Sequence, residues 1–383
     1  MAQNTGKCIE GNVLYDYDNN LKYELTRVPT ADDPGEATLT GFIDKDNATT
    51  ELVLENKIVA DKDKTKDPGK VVNDFAYTTG YAVTMIGKNA FEGNTSLKSV
   101  DMKAFYDLVI SRNAFLDCTS LETVIFTDKD NSNIIIGNSA FAGCGFTSFV
   151  VPIGATAIGQ SAFQSCPNLE TVKVGYTVEL IGDAAFSSCE KLTTVALQYG
   201  IRDSYPSKLT SLGAQCFLNC KSLQRIELPA SVVSIGASCF SGCAALKSLN
   251  LGGVNEIPES CFSDCSELER IELPQNITAI SNNCFDGCKK LKTVDWSKCK
   301  NLTTIGKLAF EDCSALESAD FLENVTSIGV RAFTGCSALT SLKLSAQVKE
   351  IPDYAFYNCS GLNTITFADG SELETIGMND GCI

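Results

Sequence analysis

From about residue 81 onward, apolar residues recur in a fixed frame. The dipeptide Ala-Phe or Cys-Phe returns with its Phe at Phe91, Phe115, Phe141, Phe163, Phe186, Phe217, Phe240, Phe262, Phe285, Phe310, Phe333 and Phe356. Successive separations are 24, 26, 22, 23, 31, 23, 22, 23, 25, 23 and 23 residues. Around each Phe the register is kept. An aliphatic residue stands five before it, often followed by Gly, as at Ile158, Ile235 and Ile328. Cys stands three after it in eleven of the twelve units, and Leu six after it in eleven. Two more apolar positions follow at plus nine and plus eleven, as at Val172 and Val174 or Ile271 and Leu273. The template reads Ile-Gly-x-x-Ala-Phe-x-x-Cys-x-x-Leu-x-x-Val-x-Leu. A period of this length, held over twelve copies, is the mark of a repeat architecture.

The alternation at plus nine and plus eleven has period two, so it predicts a short strand with both side chains on one face. The stretch from Gly through Ala-Phe to Cys lacks β-branched runs and predicts a short helix or turn that returns the chain. One such unit cannot bury its own apolar side. Stacked neighbours can, with parallel strands about 4.8 Å apart. The expected organisation is a β-rich N-terminal cap over residues 1–80 and a solenoid of about 12 units over 81–383. Gly11 to Leu25 reads as two strands around an Asp/Asn turn, with more strand expected in Leu39–Ile43 and Glu51–Val59. Asp61–Lys70 reads as a charged loop. The longest separation carries an insertion from Gln198 to Lys208, expected to protrude, and a smaller one spans Asp128–Asn133. Ile376-Gly377 opens a thirteenth unit.

Charge and composition narrow the function. Lys and Arg number 31 against 47 Asp and Glu, for a net charge of −16. Phosphate-binding surfaces need basic clusters, so nucleic acid and anionic membrane are disfavoured partners. No run of eighteen apolar residues predicts membrane insertion. The chain has no histidine, which removes the commonest general base near neutral pH and the commonest zinc ligand. With no nucleophile–base pair and no phosphate loop, the sequence predicts no catalytic residues, no cofactor and no metal. The first eight residues lack the charged-then-apolar pattern of a secretory signal.

Phrases such as Ile158-Gly159-Gln160-Ser161-Ala162-Phe163-Gln164-Ser165-Cys166-Pro167-Asn168-Leu169 and Phe333-Thr334-Gly335-Cys336-Ser337-Ala338-Leu339 resemble the BspA-type leucine-rich repeat family. The resemblance covers about residues 81–377. It implies an α/β-type leucine-rich-repeat solenoid. It also implies a cell-surface or secreted protein of host-associated bacteria or parasitic protists, adhering to host matrix proteins, host cells or other microbes. Departures are Cys in place of Ala before Phe in four consecutive units, and Asn94 in place of the first Cys.

Eighteen cysteines call for their own account. Eleven occupy the plus-three position, and Cys216, Cys239, Cys261 and Cys284 precede Phe. Stacked equivalents would sit near the strand spacing, wider than a disulfide prefers. Pairs such as Cys239 and Cys243 look superficially like metal clips, but the repeat already explains them as small buried hydrophobes. Cys8, Cys299 and Cys382 lie outside the template. Asp-x-Asp-Asn at Asp16, Asp44 and Asp128 lacks the pattern of a calcium loop and reads as solvated turns.

The outward strand positions, plus eight and plus ten from Phe, should form two ladders along the stack. Arg225 and Arg270 interrupt a mostly Ser/Thr row, while Glu227, Glu272, Asp295 and Lys343 stand in the other. These six, with Arg202 and Tyr205 of the insertion, are the candidate partner-binding surface. A solvated face without function is the plainer reading of the same residues. The expected function is protein interaction and adhesion at a microbial surface, with an intracellular scaffold of the same fold as the alternative.

Overall fold

The computed structural model describes residues 7–10, 12–27, 29–30, 33–44, 49–58, 81–127, 132–200, 205–251, 253–275, 277–296, 299–319 and 324–377. The Asp61–Lys70 loop and most of the Asp128–Asn133 insertion lie outside them. Two compact units emerge, Met1–Leu169 and Glu170–Ile383. Both are built from turns of a parallel β-solenoid.

In the first unit, β1 (Lys7–Glu10), β2 (Val13–Asp16), β3 (Leu21–Arg27) and β4 (Gly35–Phe42) pair antiparallel in chain order. The Asp/Asn turn between β2 and β3 is where the sequence places it, and the Asn19 backbone N–H donates to the Asp16 carboxylate at 3.2 Å. The Asp16 carboxylate is buried and lies 3.5 Å from the Lys7 ammonium. β4 then pairs parallel with Tyr81–Ile86, and parallel pairing continues through Asp107–Ile110, Asn133–Ile136 and Ala155–Ile158. A separate parallel sheet joins Glu51–Val53, Ser99–Met102 and Thr123–Phe126. Phe42 sets its ring edge against Phe91 at 5.1 Å.

The second unit repeats the two-sheet plan. Strands at plus eight to plus eleven from each Phe pair parallel in order: Thr171–Gly175, Thr194–Tyr199, Arg225–Ile226, Ser248–Asn250, Arg270–Glu272 and Thr293–Asp295. Ser341–Leu344 pairs with Thr364–Phe367 in the same way. Short strands ending on the aliphatic residue before Gly form further parallel pairs, such as Leu180–Ile181 with Ser211–Leu212 and Thr304–Ile305 with Ser327–Ile328. The strand before Gly is an addition to the sequence-based expectation. Two residues are too short to show a period, and stacking supplies their pairing.

No described residue is helical, so of the expected short helix or turn the helix is corrected and the turn is what forms. The reason is backbone geometry. In all twelve units the residue two before Phe and the residue two after it have positive φ, from Asn89 (59°) and Gly93 (70°) to Tyr354 (56°) and Asn358 (59°). A right-handed helix cannot hold a left-handed residue every four positions. Alternation sorts the backbone donors instead. The N–H groups of Asn113, Phe115 and Asp117 reach across to the carbonyls of Asn138, Ala140 and Ala142 in the next turn, at 3.0, 2.8 and 2.8 Å. Those of Ala114, Leu116 and Cys118 bond back three residues within their own turn, each at 3.2 Å. The buried donors of the segment are thereby satisfied.

Side-chain packing follows the same translation. Phe rings stack at 5.1 to 5.6 Å from Phe91 to Phe163 in the first unit. They stack at 5.3 to 5.7 Å from Phe186 to Phe356 in the second. These separations sit within the favourable range for offset aromatic stacking. Each fully buried ring contributes about 1.5–3 kcal/mol before entropy is subtracted. Where a glycine precedes the turn, close approach can fix it: a Cβ on Gly159 would lie 2.6 Å from the Gly137 carbonyl carbon.

The sixteen cysteines with described side chains are buried and outside any disulfide. Cys299, outside the template, is among them. The plus-three thiols do more than fill space. Cys118 Sγ donates to the Phe91 carbonyl oxygen at 3.1 Å, Cys265 to that of Phe240 at 3.2 Å, and Cys336 to that of Phe310 at 3.2 Å. Alanine would fit the volume but not make this bond.

Candidate binding surface on the outward sheet face

In the second unit the parallel ladder sets the outward side chains in register. Arg225 pairs with Ser248, Ser248 with Arg270, and Arg270 with Thr293. In the neighbouring row, Asn250 pairs with Glu272 and Glu272 with Asp295. Because strand side chains alternate, the intervening Ile226, Leu249, Ile271 and Val294 are buried while the charged residues face out.

The side chains of Arg225 and Glu227 are 77% and 72% exposed and form an ion pair along one strand. An exposed pair of this kind contributes little to stability, about 0–1 kcal/mol. Arg270 and Glu272 are exposed on the strand Arg270–Glu272. Among the described residues, Arg270 has no ion-pair or hydrogen-bond partner for its guanidinium. Three concavities lie along the face. One of ≈ 670 Å³ runs from Thr193–Gly200 to Gln224–Glu227. The next, ≈ 500 Å³, lies among Gln198, Arg225, Glu227, Ser248, Asn250 and Arg270. A third of ≈ 280 Å³ includes Asn250, Arg270, Glu272 and Thr293.

The structure therefore gathers Arg225, Glu227, Arg270 and Glu272 on one strip. Asp295 continues the ladder in its backbone. Lys343 is exposed on Ser341–Leu344, which pairs with Thr364–Phe367 rather than with the strip. Arg202 lies outside the described residues. Tyr205 is half exposed and stacks on Tyr176 at 5.5 Å. The end of its insertion is tied down where the Lys208 N–H donates to the Tyr176 carbonyl oxygen at 2.9 Å. The candidate set omits Tyr199, an exposed ring lining the first of these concavities with the Lys173 ammonium 5.1 Å from its centre. Its signal was the apolar-polar alternation from Thr194 continuing into the insertion. It also omits Ser248, whose small side chain opens the gap between the two arginines.

Elsewhere in this unit burial controls the ionisable groups. Desolvation pushes the thiols of Cys216, Cys243 and Cys288 well above their ordinary value, which makes them poor nucleophiles. At the far turn, a contact with Cys336 lowers the Cys359 thiol, while Cys336 is raised by the same contact and by burial. On the turn side, Asp286 is raised by burial and by the neighbouring carboxylates Asp264 and Asp312. Glu311 is raised by burial, with Arg331 at 2.7 Å opposing it.

A family model described as a BspA-type leucine-rich repeat region, in six copies, matches residues 84–203, 201–314 and 296–379. The chain belongs to the BspA-type leucine-rich repeat family. As a BspA-type chain it is similar in fold to a leucine-rich repeat protein from Bacteroides ovatus, at 21% identity, 94% coverage of this chain and 89% of that one, with a TM-score of 0.51. A leucine-rich cell surface protein from Faecalibacterium prausnitzii is 23% identical over 93% of this chain and 97% of that one, with a TM-score of 0.47. The pneumococcal vaccine antigen PcpA is 17% identical over 94% and 87%, with a TM-score of 0.48. No curated protein matches the chain. No helix among the described residues is long and apolar enough to cross a membrane.

Proposed function

We propose that this BspA-type protein is a non-catalytic adhesion protein of a microbial cell surface. In this reading it holds a host or microbial protein on the outward sheet face of residues 170–383. The observation that carries the reading is the strip from Tyr199 to Glu272, where exposed charged and aromatic side chains line consecutive concavities. A rigid ladder holds them at fixed spacing, so little conformational entropy is lost when a partner docks. Membership in a repeat family supports a binding role, because stacked repeats offer extended surfaces. The family resemblance supports the surface location.

A second reading, an intracellular scaffold of the same fold, draws on the sixteen buried thiols outside any disulfide, which suit a reducing compartment. Antibody labelling of intact producing cells, before and after surface proteolysis, separates the two locations. Binding is tested with the purified chain against a panel of purified extracellular matrix and host-surface proteins. Ser248→Trp, which fills the central concavity, should abolish the binding without changing the circular dichroism spectrum. Undiminished binding by that variant, or no binding to any member of the panel, counts against the proposal.

A further inference from the structure

The central concavity has a chemistry of its own. Arg225 and Arg270 stand two strand steps apart in one row, with Ser248 between them in register. Two steps of about 4.8 Å put their backbones about 10 Å apart. The small Ser248 side chain leaves the gap between them open, and Asn250 and Gln198 stand at its edge. Arg225 is already engaged by Glu227, so the notch has one paired and one unpaired guanidinium. A net charge of −16 makes an unpaired arginine at a concave site costly to explain as a stabilising feature, since Arg270 has carboxylates available on its own face and bonds none of them.

We propose that this notch is an anchor for an acidic side chain of the partner protein, whose carboxylate enters between Arg225 and Arg270 above Ser248. The proposal rests on the docking reading given above and names the chemistry recognised there. A guanidinium offers parallel N–H donors that match the two oxygens of a carboxylate. Arg270 supplies that fork, and Arg225 supplies a second donor set while Glu227 holds it in place. The Gln198 amide can complete the coordination of the incoming oxygens. Recognition is then local: the acidic remainder of the chain repels a polyanion, and only a carboxylate that reaches the notch gains from it. The same repulsion slows encounter with acidic partners at low salt and is screened as salt rises, over about 8–10 Å at physiological ionic strength.

The test uses the full chain and defined probes. A fluorescent, otherwise uncharged peptide carrying a single Glu and its Gln counterpart are titrated by anisotropy at physiological salt. The Glu peptide should bind and the Gln peptide should not. Arg270→Glu should weaken the interaction by about tenfold or more, the scale of one charge-assisted contact. Lys307→Glu changes the charge equally on an exposed turn position away from the strip and should have no such effect. Failure of the Glu peptide to bind, equal binding by Arg270→Glu, or equal losses in the two variants overturns the carboxylate anchor. Thermal melts of both variants exclude misfolding as the cause. If Ser248→Trp still blocks the matrix-protein panel while the Glu peptide fails, the docking face stands and the anchor falls.

Discussion

Gly335 offers a direct test of how successive turns constrain one another. It sits two residues after Phe333 with φ of 77°, and a Cβ built on it would lie 2.4 Å from Asp312 Oδ1 of the preceding turn. Gly335→Ala therefore combines two costs. A left-handed conformation costs an ordinary residue roughly 1–2 kcal/mol, and a stiffer unfolded chain returns about 0.4–1 kcal/mol of that. Asp312 must also leave its position, and an off-rotamer side chain costs about 0.5–1.5 kcal/mol. The expected destabilisation is about 2 kcal/mol. Gly93 isolates the first cost, since it has φ of 70° and a Cβ there would meet nothing within 4 Å, so Gly93→Ala should lose only about 1 kcal/mol. Introducing Gly335→Ala into an Asp312→Ala background should likewise cost only about 1 kcal/mol. Urea unfolding of the single and double variants gives the energies. Repeat arrays can unfold in parts, so amide exchange at Asp312, whose N–H donates to the Thr334 carbonyl oxygen at 2.8 Å, localises the loss. Equal losses at Gly93 and Gly335, or a Gly335 loss indifferent to Asp312, would refute the steric coupling.

Further outcomes follow from other turn positions. Leu308 holds a left-handed φ of 58°, so Leu308→Gly should be neutral or stabilise by up to about 1 kcal/mol in the same urea assay; a clear destabilisation contradicts the strain argument. Cys265→Ala removes the thiol bond to the Phe240 carbonyl but leaves that oxygen its bond from the Cys243 N–H at 3.1 Å, so the loss should be about 1 kcal/mol. In native protein at mildly alkaline pH, Cys265 should resist alkylation until denaturant is added, as mass spectrometry would show. Asp286 has a folded pKa raised above its ordinary 3.8. The folded state keeps a proton that the unfolded chain has lost, so stability falls as pH rises through that window. Asp286→Asn should therefore gain a few tenths of a kcal/mol at neutral pH and nothing below pH of about 3.8. A gain confined to acid would reverse the sign and defeat the assignment.

Sequence alone determined the repeat, its register and its core. Phe at a period of about 23 residues, Leu at plus six and aliphatic pairs at plus nine and eleven mark positions that prove buried in most units, with Val124 half-buried and Phe367 exposed among the exceptions, because burial selects residue type strongly and locally. The outward placement of Arg225, Glu227, Arg270 and Glu272 followed from the same period-two rule. Conformation of the Phe segment did not follow. Asn89, Leu308, Arg331 and Tyr354 share a left-handed backbone with no common side-chain chemistry, because cross-turn hydrogen bonds impose it and residue preference does not. The two-residue strands, the Cys-to-Phe-carbonyl bonds and the Asp312–Gly335 fit all join residues more than twenty apart. Only tertiary stacking decided these, since each depends on what the adjacent turn presents at one translation along the solenoid. The notch between Arg225 and Arg270 belongs to the same class: it exists because Ser248, small and ordinary in its own unit, comes to rest between two arginines from its neighbours.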